Sequence, residues 1–295
     1  MSTRSVTPEY SVHRVLYVRH SWPVRVMHWI NAIALTLLLM SGLQIFNAHP
    51  ALYWGQSSYS GRPALLQMGA EPAADGSLRG VTEIFGRKLD TTGFLGLSRG
   101  MDGELVERGF PSWATLPSNQ WLAMARRWHF FFAWILVING VLYVAYSLYS
   151  GHFSADLLPT RRDWRSVGSS ILDHLRFRHP RGEAARRYNV LQKLAYVVVM
   201  FALLPFMVLM GLAMSPAMDT VLPGWVNVFG GRQGARTLHF FAAMAIVSFA
   251  FIHLFEVAIT GAWNNIRSMI TGRFAIEVDE GAPVRKPSVG REHEH

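Results

Sequence analysis

The sequence predicts an all-α membrane protein, a bundle of four transmembrane helices with a long irregular periplasmic loop between helices one and two. Three observations carry this. Four apolar runs, residues 26–46, 121 or 128–150, 194–214 and 238–260, are each long enough to cross about 30 Å of hydrocarbon. Of the 295 residues 51% are hydrophobic and only 16% charged, the balance of a chain that meets lipid and keeps sizeable aqueous loops. Trp22, Trp29, Trp121, Trp128, Tyr146 and Tyr149 gather at the ends of runs, as interfacial belts do.

In chain order, residues 1–25 are a polar cytoplasmic segment, flexible over 1–20. Residues 26–274 form the four-helix domain, and 275–295 a charged, loose cytoplasmic tail. The first run is too long for the apolar region of a signal peptide, so none is expected. The periplasmic insertion, about 47–120, holds 11 of the 25 glycines and no clear period. It also carries Tyr53, Trp54, Phe85, Phe94, Phe110 and Trp113, too many aromatics for a disordered chain. It reads as a compact irregular cap that forms part of a docking surface. The loop 150–193 is solvated and basic, with a surface helix over 163–175. Pro205 kinks the third span by removing a backbone donor. Gly42, Gly140 and Gly211 lie inside spans, where a missing side chain admits a helix or a flat ligand. Residues 263–272 form a short amphipathic turn with Ile266, Met269 and Ile270 on one side.

Orientation follows from lysine and arginine. With four spans, the termini and the loop 150–193 share one side, which carries 18 basic residues against 10 on the other. The excess places both termini of this multi-pass chain in the cytoplasm. The net charge of +9 is accounted for by these loops, and no nucleic-acid role is expected. There is no cysteine, which excludes iron–sulfur clusters, thiolate zinc, disulfides and haem attached through Cys-x-x-Cys-His.

Only four of the twelve histidines fall within the spans. His239 and His253 are 14 residues apart on the fourth, about 21 Å of helical rise on nearly one face. An ionisable group at membrane depth is costly and points to function. Topology then sorts the four by depth: His28 with His253 near the inner surface, His129 with His239 near the outer. Paired imidazoles in a helix bundle suit b-type haem, so two stacked haems b are predicted. Two histidines per site are too few for structural zinc. His20, eight residues before His28, is the competing ligand on the first span.

HSWPVRVMHW before the first span, ARRWHF opening the second, RYNVLQKLAY leading into the third, the histidine pair of the fourth and NNIRSMITG after it resemble the bacterial cytochrome b561 family. That family includes di-haem cytochrome b subunits of nickel–iron hydrogenase, formate dehydrogenase and thiosulfate reductase-type complexes. The resemblance covers about 1–50 and 121–274. It implies a bacterial inner-membrane location, the same four histidine ligands and electron transfer between the membrane quinone pool and a periplasmic oxidoreductase. A molybdenum-cofactor partner is favoured over a hydrogenase. The loop 47–120 is longer than the minimal family pattern. Two other readings stay open: a stand-alone superoxide:quinone oxidoreductase, and a non-catalytic haem-containing membrane anchor.

Around the haems, Arg25 and Arg126 are the candidate partners of the propionates, because arginine pairs with carboxylate in bidentate fashion. Gly42 and Gly140 are candidate haem contacts. Asn189 and Gln192, at inner depth, are candidate hydrogen-bond donors to a quinone. Glu256, three residues past His253, is the candidate proton carrier.

Overall fold

A computed structural model describes residues 12–58, 61–151, 158, 160–176 and 190–279. The chain divides into two units. One comprises Val26–Pro159 and Gln192–Glu256; the other comprises Met1–Arg25, Thr160–Leu191 and Val257–His295.

The elements run β1 (Val12–Val18), α1 (Trp22–Asn47), β2 (Ala51–Leu52), β3 (Leu66–Pro72), β4 (Leu78–Ile84), β5 (Arg87–Asp90), β6 (Gly96–Arg99), β7 (Leu105–Arg108), α2 (Leu122–Tyr149), α3 (Arg161–Arg165), α4 (Val167–Leu175), α5 (Val190–Val198), α6 (Leu204–Ala213), α7 (Pro216–Val221), α8 (Gly231–Ile259), α9 (Ala262–Thr271) and β8 (Arg273–Asp279). Four helical stretches are long and apolar enough to cross a membrane: Trp22–Asn47, Leu122–Tyr149, Val190–Ala213 and Gly231–Ile259. In the third, Val199–Leu203 is π-helical immediately before α6, whose second residue is Pro205. A proline has no N–H to offer the preceding turn, and a wider turn absorbs the mismatch.

Asn139 on α2 donates to the Met27 carbonyl at 2.9 Å and to Asn31 Oδ1 at 2.7 Å, a polar clasp between α1 and α2. Tyr196 of α5 meets Phe249 of α8 edge-on at 6.3 Å. Phe46 and Phe240 join α1 to α8 at 5.0 Å.

The segment between α1 and α2 is not an irregular loop, and the chain is therefore not all-α. An antiparallel sheet of order β2-β3-β4-β5 and a hairpin β6-β7 fill it. The β4–β5 turn is two residues long, with Phe85 at φ 48° and Gly86 at φ 80°, the left-handed pair that matches strand twist. Asp75-Gly76 and Asp102-Gly103 close the other hairpins. The two sheets meet at glycines: a Cβ on Gly80 would lie 2.5 Å from the Leu95 carbonyl oxygen, and one on Gly96 2.3 Å from that of Gly69. Phe46, Leu52 and Met68 form the core of this cap, with Leu66, Leu95, Phe110 and Phe240 against them. The cap's core thus includes side chains of α1 and α8, which seats it on one end of the bundle.

In the smaller unit Val12–Val18, from the segment expected to be flexible, pairs with Arg273–Asp279, which includes the start of the expected loose tail. β1 and β8 run antiparallel from Val12↔Asp279 to Val18↔Arg273. Alternation of Phe274, Ile276 and Val278 with polar or small residues is the strand signal. Phe274 and Ile276 are buried. Tyr17 meets Phe274 at 5.8 Å and the Arg19 guanidinium lies 4.5 Å from its ring centre. Asn264 of α9 bonds both backbone groups of Ala275, at 2.8 and 2.9 Å, as a further strand would. The predicted surface helix over 163–175 is two helices, α3 and α4. Thr160 and Asp163 cap the first reciprocally, each side chain accepting the other's N–H.

Candidate functional site

The four span histidines meet two by two within the larger unit. The ring centres of His129 and His239 are 6.2 Å apart with planes crossed by 65°, at the capped end. Those of His28 and His253 are 6.3 Å apart, crossed by 58°, toward the other end. His28 stands against His253, and His129 against His239.

Each histidine of the capped pair leans on a neighbouring helix. A Cβ on Gly42 of α1 would stand 3.3 Å from His129 Cε1, and one on Gly211 of α6 3.5 Å from His239 Cε1. Ser41, fully buried, places Oγ 3.2 Å from His129 Nδ1. His239 Nδ1 lies 3.0 Å from the Met207 carbonyl and so carries the proton. At the other end His253 stacks on Phe249 at 5.9 Å and meets Tyr196 at 6.4 Å, while His28 meets Trp29 edge-on at 5.5 Å. His28 Nδ1 is buried and, among the described residues, has no hydrogen-bond partner.

The cap roofs the first pair. The Leu116 N–H bonds the Met40 carbonyl at 3.1 Å, one residue from Ser41. Arg236, three residues before His239, donates to the carbonyls of His49 and Ala51 and lies over the Phe46 ring at 5.4 Å. Thr237 donates to the Tyr53 carbonyl at 2.7 Å, and the N–H groups of Gln233 and Gly234 reach the Gly55 carbonyl. That carbonyl satisfies donors that the first turn of α8 would otherwise leave orphaned. Arg108, 3% exposed, donates to the carbonyls of Phe110 and Ser118, to Thr115 Oγ1 and to Gln44 Oε1 on α1. A cleft of about 370 Å³ opens in the cap, lined by His49, Tyr53, Glu71, Glu83 and Glu107 among others. Burial lowers the pKa of His49, and the charge of Arg236 adds to the effect.

A model of the prokaryotic cytochrome b561 family matches residues 19–272. The chain belongs to that family. Among curated relatives, the putative protein-methionine-sulfoxide reductase subunit YedZ1 of Azospira oryzae is 24% identical over 244 residues, covering 83% of this chain and 92% of the relative. As a cytochrome b561 the chain is a membrane b-type cytochrome whose group is haem b.

The residues fit that group. Among the described residues no cluster of three or more His, Cys, Asp or Glu could hold a metal ion, so a bare ion would lack ligands. An iron that brings four equatorial nitrogens needs only two more. Two metal–imidazole bonds of about 2.0–2.1 Å, together with about 1.1 Å from each nitrogen to its ring centre, span about 6.3 Å. Both pairs have that separation.

The other predicted residues are placed less centrally. Gly42 lies at His129; around Gly140 no atom comes within 4 Å of an added Cβ, leaving open space. Arg25, in the smaller unit, donates to the Ile270 carbonyl near the end of α9. Arg126 is exposed, with its guanidinium 5.9 Å from the Phe130 ring centre. Gln192 and Glu256 are half-buried, and Asn189 lies outside the described residues. Ser41, Met207, Arg108 and Arg236 were not found from sequence. Only Arg236 carried a signal, as a cation one turn before a span histidine.

Proposed function

We propose that this cytochrome b561 transfers electrons between the quinone pool and a periplasmic oxidoreductase partner through two haems b. His28 and His253 hold the inner one, His129 and His239 the outer. The observation that carries this is the pair of ring separations, 6.3 and 6.2 Å, each suited to one six-coordinate iron. Haem b bound at such sites supplies reversible one-electron transfer at a potential set by ligation and burial. The chain's own residues orient the imidazoles, keep water out and leave space between the helices. Gly42 and Gly211 admit the outer rings, and Gly140 leaves room on α2. The basic excess on the side of the termini supports an inner membrane with both termini cytoplasmic and the cap periplasmic.

The name of the Azospira relative, a subunit of a protein-methionine-sulfoxide reductase, supports an oxidoreductase partner over solitary action. A molybdenum-cofactor enzyme rather than a hydrogenase rests on the resemblance of RYNVLQKLAY and the long first loop to the thiosulfate reductase-type branch. The cap bonded down to Met40 disfavours a stand-alone superoxide oxidase, which needs an open outer site. Quinone reacts near the inner pair, with Asn189 or Gln192 as donors and Glu256 as proton carrier. Residues 1–25 and 275–295 flank the membrane domain 26–274.

The test is a reduced-minus-oxidised spectrum with a pyridine haemochrome assay on the detergent-purified chain. Two haems b per chain are expected in the native protein, and one in His28→Ala or His129→Ala. A colourless chain, or a His239→Ala/His253→Ala variant with its full pigment, ends this reading.

A further inference from the structure

The histidines of the capped pair and His28 differ in what their second nitrogens touch. A serine hydroxyl has one hydrogen. The Ser41 hydroxyl gives it to the Leu37 carbonyl, 2.6 Å away and one turn back on α1. Its oxygen therefore meets His129 Nδ1, at 3.2 Å, with a lone pair. The proton of His129 must then sit on Nδ1, and Nε2 is left for a metal. His239 has the same state, with Nδ1–H on the Met207 carbonyl at 3.0 Å. Both imidazoles of the capped pair thus donate to an oxygen acceptor. His28 Nδ1 is buried and, among the described residues, has none.

An imidazole whose N–H is given to an acceptor gains electron density on the nitrogen that binds the metal. Such a ligand favours the higher oxidation state. We propose that Ser41 is a positioning residue for the outer haem, setting its reduction potential below that of the inner one. The inference rests on the two-haem reading above. Among these acceptors Ser41 is the one side chain, because Met207 and Leu38, whose carbonyl also hydrogen-bonds His129, contribute main-chain oxygens that no substitution removes. With two haems held in this way, the inner one would be reduced first, whichever way the net flow runs.

A potentiometric titration of the purified full chain, followed by absorbance and by low-temperature electron paramagnetic resonance, tests this. Two midpoint potentials are expected. Ser41→Ala should raise the lower one, increasing the ferrous-to-ferric ratio of that haem about tenfold at fixed ambient potential, or about 59 mV. The upper potential should stay in place. Ser41→Thr, which keeps the oxygen, should behave as wild type. A Ser41→Ala protein with both potentials unmoved, or with only the upper one moved, overturns the proposal. Should Ser41→Ala fail to hold haem, His28→Ala decides: its remaining haem must titrate at the lower wild-type value, and titration at the upper value refutes the assignment. Fewer than two haems in the wild type would instead bring down the functional reading itself.

Discussion

Gly42 of α1 faces His129 of α2, with 3.3 Å between the place a Cβ would take and the imidazole Cε1. The neighbour yields a few tenths of an ångström or the ring moves. Alanine, otherwise worth about 1 kcal/mol over glycine in a helix, should be tolerated with both haems kept. Leucine should displace the ring and remove the outer haem, lowering the haemochrome yield from two per chain to one. A Gly42→Leu protein with two haems would show that this contact does not position the ligand.

Arg108 is the hub of the cap, with four acceptors and almost no solvent. Arg108→Met should destabilise the cap by about 3 kcal/mol, since it strands buried oxygens. Lysine should not rescue it, because an ammonium lacks the planar fork. Amide exchange across Gly96–Arg99 and Leu105–Arg108 reads the effect directly; exchange at the wild-type rate would contradict it.

How much of this was legible in the sequence depends on the range of each interaction. The four spans and their histidines were readable because hydropathy and helical pitch are local. The cap's strands carried local signals too, in Asp75-Gly76, Phe85-Gly86 and Asp102-Gly103, but the many glycines read as irregularity. The β1–β8 ribbon pairs residues more than 250 positions apart, which no window captures. Ser41 reads as a small residue in an apolar helix until α2 is set beside it. Arg108 reads as a loop cation until burial gives it partners.

The cap should also respond to acid. The pKa of His49 is lowered in the folded protein, first by burial and then by Arg236; Glu71, Glu83 and Glu107 line the same cleft, and Tyr53 stacks on the ring at 5.8 Å. The unfolded chain therefore binds the proton more readily. The stabilisation is complete above the ordinary histidine pKa, about 6.5, and declines as pH falls below it toward the folded value. Amide exchange of Ala51–Leu52 and Leu66–Pro72 against pH should show that decline, and His49→Gln should flatten it. An identical profile in the variant would assign the dependence elsewhere.

Phe274→Ala should open the ribbon of the smaller unit. The ring is buried between Tyr17 and Arg19, and its loss costs about 3 kcal/mol. Faster exchange of the Val12–Val18 amides is the expected result. Unchanged protection there would mean that the backbone ladder holds the ribbon without the ring.

Gln192→Ala together with Glu256→Gln should slow haem reduction by a quinol analogue at least tenfold while the dithionite-reduced spectrum stays intact. Loss of spectrum would make them structural, and unaltered quinol kinetics would move the quinone elsewhere.

The seat of the cap is written largely in main-chain groups: the carbonyls of His49, Ala51, Tyr53 and Gly55 on the α8 side, and the Leu116 N–H on the Met40 carbonyl of α1. Carbonyl oxygens are the same whatever side chain they belong to. The outward surface of the roof is consequently free to drift, or to be exchanged wholesale, without loosening its mooring. Surface substitutions alone thus give one bundle a different outer face.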